Sequence, residues 1–218
     1  MYQAVICDWD GTLADTRRVI VLSFQKALAE SGLKVTDEYI ERRIGIGAAE
    51  TFRDILRSTR GKIDEDLVKQ LVERKSQAEI ELTDQVLLFP GAKELLSMLH
   101  GKIKVGLASM NNRSVIVHLV EAFSLKGYFE VVLTGDSVTQ SKPNPEIFLK
   151  CAAQLKVNPK SCVVLEDSIF GVQAAKAAGM GCVAVTTGVY MREELLQENP
   201  DLIVASLEDK RILPFILH

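Results

Sequence analysis

The chain has 218 residues, 47% hydrophobic and 25% charged, the composition of an ordinary soluble globular protein with a sizeable core. A net charge of −3, with no Lys/Arg cluster interleaved with aromatics, argues against nucleic acid as a partner. No apolar run reaches the ~20 residues a bilayer crossing needs, and the N-terminus enters a strand rather than a signal peptide, so no membrane partner and a cytoplasmic location are expected.

Residues 2–7 are mostly apolar and β-prone, which suits a strand covered on both faces. They lead into Asp8-Trp9-Asp10-Gly11-Thr12-Leu13. Side chains two apart on an extended chain project to the same side, so Asp8 and Asp10 are expected to share a site. Two adjacent carboxylates repel, and keeping both charged near neutral pH needs a cation. A plain strand-end turn is the alternative, since Asp and Gly are ordinary turn residues.

Residues 17–31 read as a helix, with Val19, Leu22, Ala27 and Leu28 apolar and Gly32 as its stop. Thr36-Asp37 can cap a second helix running toward Arg43, a third spans about 48–58, and Asp64 begins a fourth that continues to about Glu81. No strand pattern interrupts this stretch. It is expected to form an inserted helical layer, residues 16–85, within a core made of 1–15 and 86–218.

Beyond the Phe89-Pro90-Gly91 turn and a short helix over 92–99, strands and helices alternate. Strands are expected at 103–109, 129–133, 161–165, 182–185 and 202–204, with helices at 114–123, 145–155 and 170–178. Right-handed crossovers then give an α/β fold, a three-layer Rossmann-like parallel sheet with helices on both faces. Cys7, Cys151, Cys162 and Cys182 are scattered among apolar segments, without zinc-ligand spacing, and read as small core residues. With three histidines and no G-x-S-x-G elbow, a Ser-His-Asp hydrolase does not fit.

Ligands settle at the carboxyl ends of such strands. Four of those ends carry Asp8 and Asp10, then Ser109-Met110-Asn111, then Lys142 followed by two stiffening prolines, and finally Glu166-Asp167. Each has an ordinary alternative: a helix cap for Ser109, a solvated charge for Lys142, a helix-dipole partner for Glu166-Asp167. Together, four acids, one Lys and one hydroxyl on one edge describe a Mg2+-dependent phosphate site. Asp8 is then the expected nucleophile and Asp10 the general acid and base. Ser109, Lys142 and the Met110 and Asn111 amides would hold phosphate oxygens. The ion would be held by Asp8, the Asp10 carbonyl, Asp167 and, directly or through water, Glu166.

The segments Asp8 to Thr16, Ser109, Lys142-Pro143-Asn144-Pro145-Glu146-Ile147-Phe148 and Glu166-Asp167-Ser168-Ile169-Phe170-Gly171 resemble, in order, the four motifs of the haloacid dehalogenase-like hydrolase superfamily. The resemblance implies a Rossmann-like core with a small helical cap, Mg2+ as cofactor and the roles already assigned. It is similar to the subgroup holding phosphoglycolate phosphatases, other small-metabolite phosphatases and β-phosphoglucomutase. The Asp10 acid disfavours the dehalogenase branch. The mutase branch usually carries a His shortly after the Asp-Thr pair and Lys and Arg in the cap loop; here Arg17-Arg18-Val19-Ile20 and Arg43-Ile44-Gly45-Ile46-Gly47 stand there. The expected activity is therefore hydrolysis of a small phosphorylated metabolite, with a phosphoglucomutase-type transferase and a non-enzymatic phosphate-responsive module as alternatives. Arg42 or Arg43 could contact an anion or simply be solvated. A monomer is expected, with a dimer as the alternative.

Overall fold

The strand Ala4–Cys7 (β1), four apolar residues with no exposed side chain, lies at the centre of the sheet. In the computed structural model, which describes residues 1–218, the chain continues through Ala14–Asp15 (β2) into four helices: Arg17–Glu30 (α1), Asp37–Glu41 (α2), Ala48–Arg60 (α3) and Glu65–Glu81 (α4). It returns through Leu87–Leu88 (β3) and Ala92–Leu99 (α5). Alternation follows: Lys104–Ala108 (β4), Arg113–Ala122 (α6), Val131–Leu133 (β5), Glu146–Leu155 (α7), Cys162–Glu166 (β6), Ile169–Ala177 (α8), Gly181–Val185 (β7), Arg192–Gln197 (α9), Leu202–Val204 (β8) and Ile212–Leu217 (α10).

The six long-range strands pair in the order β5-β4-β1-β6-β7-β8, and every pairing is parallel. Alternation along β1 sends Val5 and Cys7 into one apolar layer and Ala4 and Ile6 into the other. The first layer packs under α5, α6 and α10, the second under α7, α8 and α9. The result is a Rossmann-like α/β sandwich. Register decides where chemistry can gather. Cys7 stands opposite both Leu107 and Leu165, so Asp8, the first residue beyond β1, emerges beside the last residues of β4 and β6, Ala108 and Glu166.

Helices α1–α4 share a separate apolar cluster in which Phe24 and Phe52 stack at 4.7 Å. Thr36 accepts from the Tyr39 N–H at 3.2 Å, and Asp64 accepts from the Asp66 and Leu67 N–H groups at 3.1 Å, so both expected caps form.

Three features depart from the sequence reading. Leu22 points outward; the buried stripe of α1 runs through Ile20, Phe24, Ala27 and Leu28, the i, i+4, i+7, i+8 spacing of one helix face. The two passages joining the helices to the sheet pair as a small antiparallel ribbon, β2 with β3, too short to show a period. Helices α9 and α10, six residues each, are likewise below the length at which periodicity is legible. All four cysteines are buried and unbridged, as read. No helix is long and apolar enough to cross a membrane.

Candidate active site

Because Cys7 pairs with Leu165, Asp8 follows with its N–H on the Leu165 carbonyl, directly beside Glu166 at the end of β6. Trp9 turns back into the core, while Asp8 and Asp10 both line one chamber above the sheet edge. The chain does turn here, with the Thr12 and Leu13 N–H groups on the Trp9 carbonyl, yet both acids are buried at the chamber.

Lys142 is no solvated charge. Its ammonium, fully buried, donates to Asp8 Oδ1 at 2.7 Å and to Glu166 Oε1 at 2.5 Å. Burial alone would lower this lysine, but the two carboxylates outweigh it and hold the ammonium above the usual lysine range. The loop that delivers it is pinned by Glu146, whose Oε2 accepts from the Thr139 N–H, the Thr139 hydroxyl and the Gln140 N–H at 2.8–3.0 Å. The other Glu166 oxygen accepts from Asp167 N, Ser168 N and Ser168 Oγ at 2.9–3.0 Å. Glu166 thus fixes the β6–α8 turn as well as Lys142. Gly171 faces its carboxylate so closely that a Cβ there would overlap it.

Carboxylate oxygens of Asp8, Glu166 and Asp167 come within 4.8 Å of one another, all buried. Burial, then the neighbouring acids, push the Asp8 and Asp167 carboxyls well above the usual range, with Lys142 opposing on both. Three acids against one ammonium leave negative charge uncompensated in a buried site. Hard oxygens in that state suit a divalent cation such as Mg2+. Gly11 and Gly188 let the backbone close on Asp167, since a Cβ at either would overlap its carboxylate.

Asp10 lies outside that cluster. Its carboxylate accepts from Thr16 Oγ at 2.8 Å and Ser109 Oγ at 3.2 Å, so any contact to a cation falls to its main-chain carbonyl. Ser109 does not cap a helix, for α6 begins after Asn112. Instead it sits between Asp10 and the Asn111 N–H, 3.0 Å from the latter. The Asn111 N–H is therefore engaged within the loop, while the Met110 N–H has no protein partner.

Sequence reasoning missed Lys75 and Glu79, two buried charged residues one turn apart on α4 that form an ion pair. Lys75 donates to Asn111 Oδ1 at 3.0 Å, and Asn111 Nδ2 donates to Glu79 Oε1 at 2.7 Å. Burial raises the Glu79 carboxyl, with Lys75 acting against it. A Lys-x-x-x-Glu step reads as an exposed helix pair in sequence, and only packing against the sheet edge distinguishes it. Arg42 is engaged elsewhere, with Glu194 at 2.6 Å, whereas Arg43 does line the chamber. The remaining wall includes Ile20, Phe24, Ile44 and Met110. Together these residues form a narrow chamber that is partly open to solvent.

The family model described as haloacid dehalogenase-like hydrolase matches residues 5–185. The chain belongs to the haloacid dehalogenase-like hydrolases. Within this family it is 32% identical over 180 residues to a phosphorylated carbohydrates phosphatase of Thermotoga maritima, covering 82% of each chain. It is 31% identical over 229 residues to a phosphoglycolate phosphatase of Salmonella paratyphi A, covering 95% of this chain and 90% of that one. Its fold superimposes on CbbY from Rhodobacter sphaeroides in complex with phosphate with a TM-score of 0.84 at 28% identity, covering 96% of both.

Proposed function

We propose that this haloacid dehalogenase-like hydrolase is a Mg2+-dependent phosphatase of a small phosphorylated metabolite, a sugar phosphate or phosphoglycolate, acting through an aspartyl-phosphate on Asp8. The observation that carries the reading is Lys142 bridging Asp8 and Glu166 with Asp167 alongside. Residues 16–85 then act as a cap over a core of 1–15 and 86–218.

Asp8, Asp167, the Asp10 carbonyl and Glu166, directly or through water, would hold Mg2+, which would supply positive charge offsetting the repulsion between phosphoryl oxygens and an anionic nucleophile. Lys142 adds to that charge and holds one Asp8 oxygen, orienting the carboxylate for in-line attack on phosphorus. The Ser109 hydroxyl and the free Met110 N–H suit the equatorial oxygens; Asn111 shapes the same loop. Asp10, held on both oxygens by Thr16 and Ser109, delivers a proton to the departing alkoxide. It then takes one from the water that cleaves the acyl phosphate.

The chamber lies between residues 16–85 and the sheet edge, so movement of the cap would admit a substrate and its closure would exclude water. A mutase finds less support: of residues 17–20, the one facing the chamber is Ile20, which can neither give nor take a proton. A signalling module is disfavoured by Asp10, which shortens the life of a phosphorylated Asp8. The reading is tested by phosphate release from a panel of phosphomonoesters with Mg2+ and with a chelator. Release that depends on Mg2+ supports it, and no release from any ester, or undiminished release in chelator, defeats it.

A further inference from the structure

We propose that Glu79 sets the substrate class of this site, turning it toward monophosphates whose leaving group is uncharged and away from those carrying a second anionic group. The inference rests on the phosphatase reading and concerns the side of the chamber that meets the leaving group.

Three cations reach the chamber or its floor, each beside an acid, and two of them are hydrogen-bonded to it. Lys142 is shared by Asp8 and Glu166. Arg43 stacks on Tyr39, 3.6 Å from the ring centroid, and its buried Nε faces Asp54 Oδ2 at 3.7 Å without a hydrogen bond. Lys75, the cap cation in the same wall as Asp8 and Asp10, is paired with the fully buried Glu79. Asn111 ties that pair down from both sides.

A carboxylate or second phosphate entering this narrow chamber loses part of its water and needs an unshared cation in exchange. At Lys75 it would meet Glu79, and at Arg43 it would meet Asp54, each a like charge. A hydroxyl fares differently. The Lys75 ammonium can donate to it, and Thr51 Oγ can accept from it. The wall is thus suited to the alcohol groups of a polyol or sugar monophosphate.

The test compares phosphoglycolate with 2-hydroxyethyl phosphate, two esters of nearly equal size that differ in one charge, using the full chain with Mg2+. Wild type is expected to show the higher kcat/KM for 2-hydroxyethyl phosphate. Glu79→Gln keeps an acceptor for Asn111 but frees the charge of Lys75, and should move the ratio toward phosphoglycolate by about tenfold or more. A wild-type preference for phosphoglycolate, or an unmoved ratio in a folded Glu79→Gln chain, would overturn the proposal. If that variant fails to fold, the wild-type ratio still decides. Absence of phosphate release from either ester and from the wider panel would instead defeat the phosphatase reading itself.

Discussion

Lys142 and Glu166 hold each other in a fully buried ion pair, 2.5 Å from Nζ to Oε1, and the same ammonium grips Asp8 at 2.7 Å. One side chain therefore joins the end of β1, the loop before α7 and the end of β6. Removing it leaves two carboxylates facing each other in a dry site. Breaking a buried pair on one side costs about 3–5 kcal/mol. Lys142→Met is expected to lower stability in urea by about that amount and kcat/KM by about 10²–10³-fold. Unchanged urea stability would show that the pair contributes nothing net.

Metal binding should be visible without any substrate. Burial and mutual repulsion hold the Asp8 and Asp167 carboxyls high, a condition that a bound dication relieves. Mg2+ at about a hundred times its dissociation constant should add about 2.7 kcal/mol, seen as a rise in Tm over the protein in chelator. Asp167→Asn should lose most of that rise. An identical Tm with and without Mg2+ for wild type would speak against a site among these acids.

Much of this edge was legible in the chain because each strand end carries its polar residue within one or two positions of an apolar run. Asp8, Asp10, Ser109, Glu166 and Asp167 all emerge at the same edge for that reason. Lys142 was legible by its prolines and its place after a strand, although nothing in sequence shows that it bridges two acids. The Lys75–Glu79 pair was not legible, since i, i+4 opposite charges belong more often to a solvated helix face. Asp10 was readable as an acid of the site, but its hold by Thr16 and Ser109 arises from a tertiary approach. The outward Leu22 and the two-residue ribbon β2–β3 show the same limit: short or local patterns do not reveal which surface another element will cover.

Glu146 anchors the loop that presents Lys142, and its pKa is lowered to about 2, chiefly by Lys150 and then by the Gln140 and Thr139 donors. A depressed carboxyl stabilises the folded chain above its ordinary value of 4.5 and loses that contribution as pH falls toward about 2. Glu146→Gln should therefore be less stable than wild type at pH 6, with the difference shrinking by pH 3. It should also lower kcat more than it raises KM, because in the proposed mechanism Lys142 would act on the transferring group. A stability difference independent of pH would remove the ionic part of this account.

The phosphorylated residue itself is the most direct quantity to measure. Asp10→Asn should still form the acyl phosphate with a reactive phosphomonoester but hydrolyse it slowly, so acid quenching and peptide mass spectrometry should find one phosphoryl group on Asp8. Asp8→Asn/Asp10→Asn should carry none. Steady turnover by Asp8→Asn, or a phosphoryl group found on another residue, would contradict the assignment of Asp8 as nucleophile.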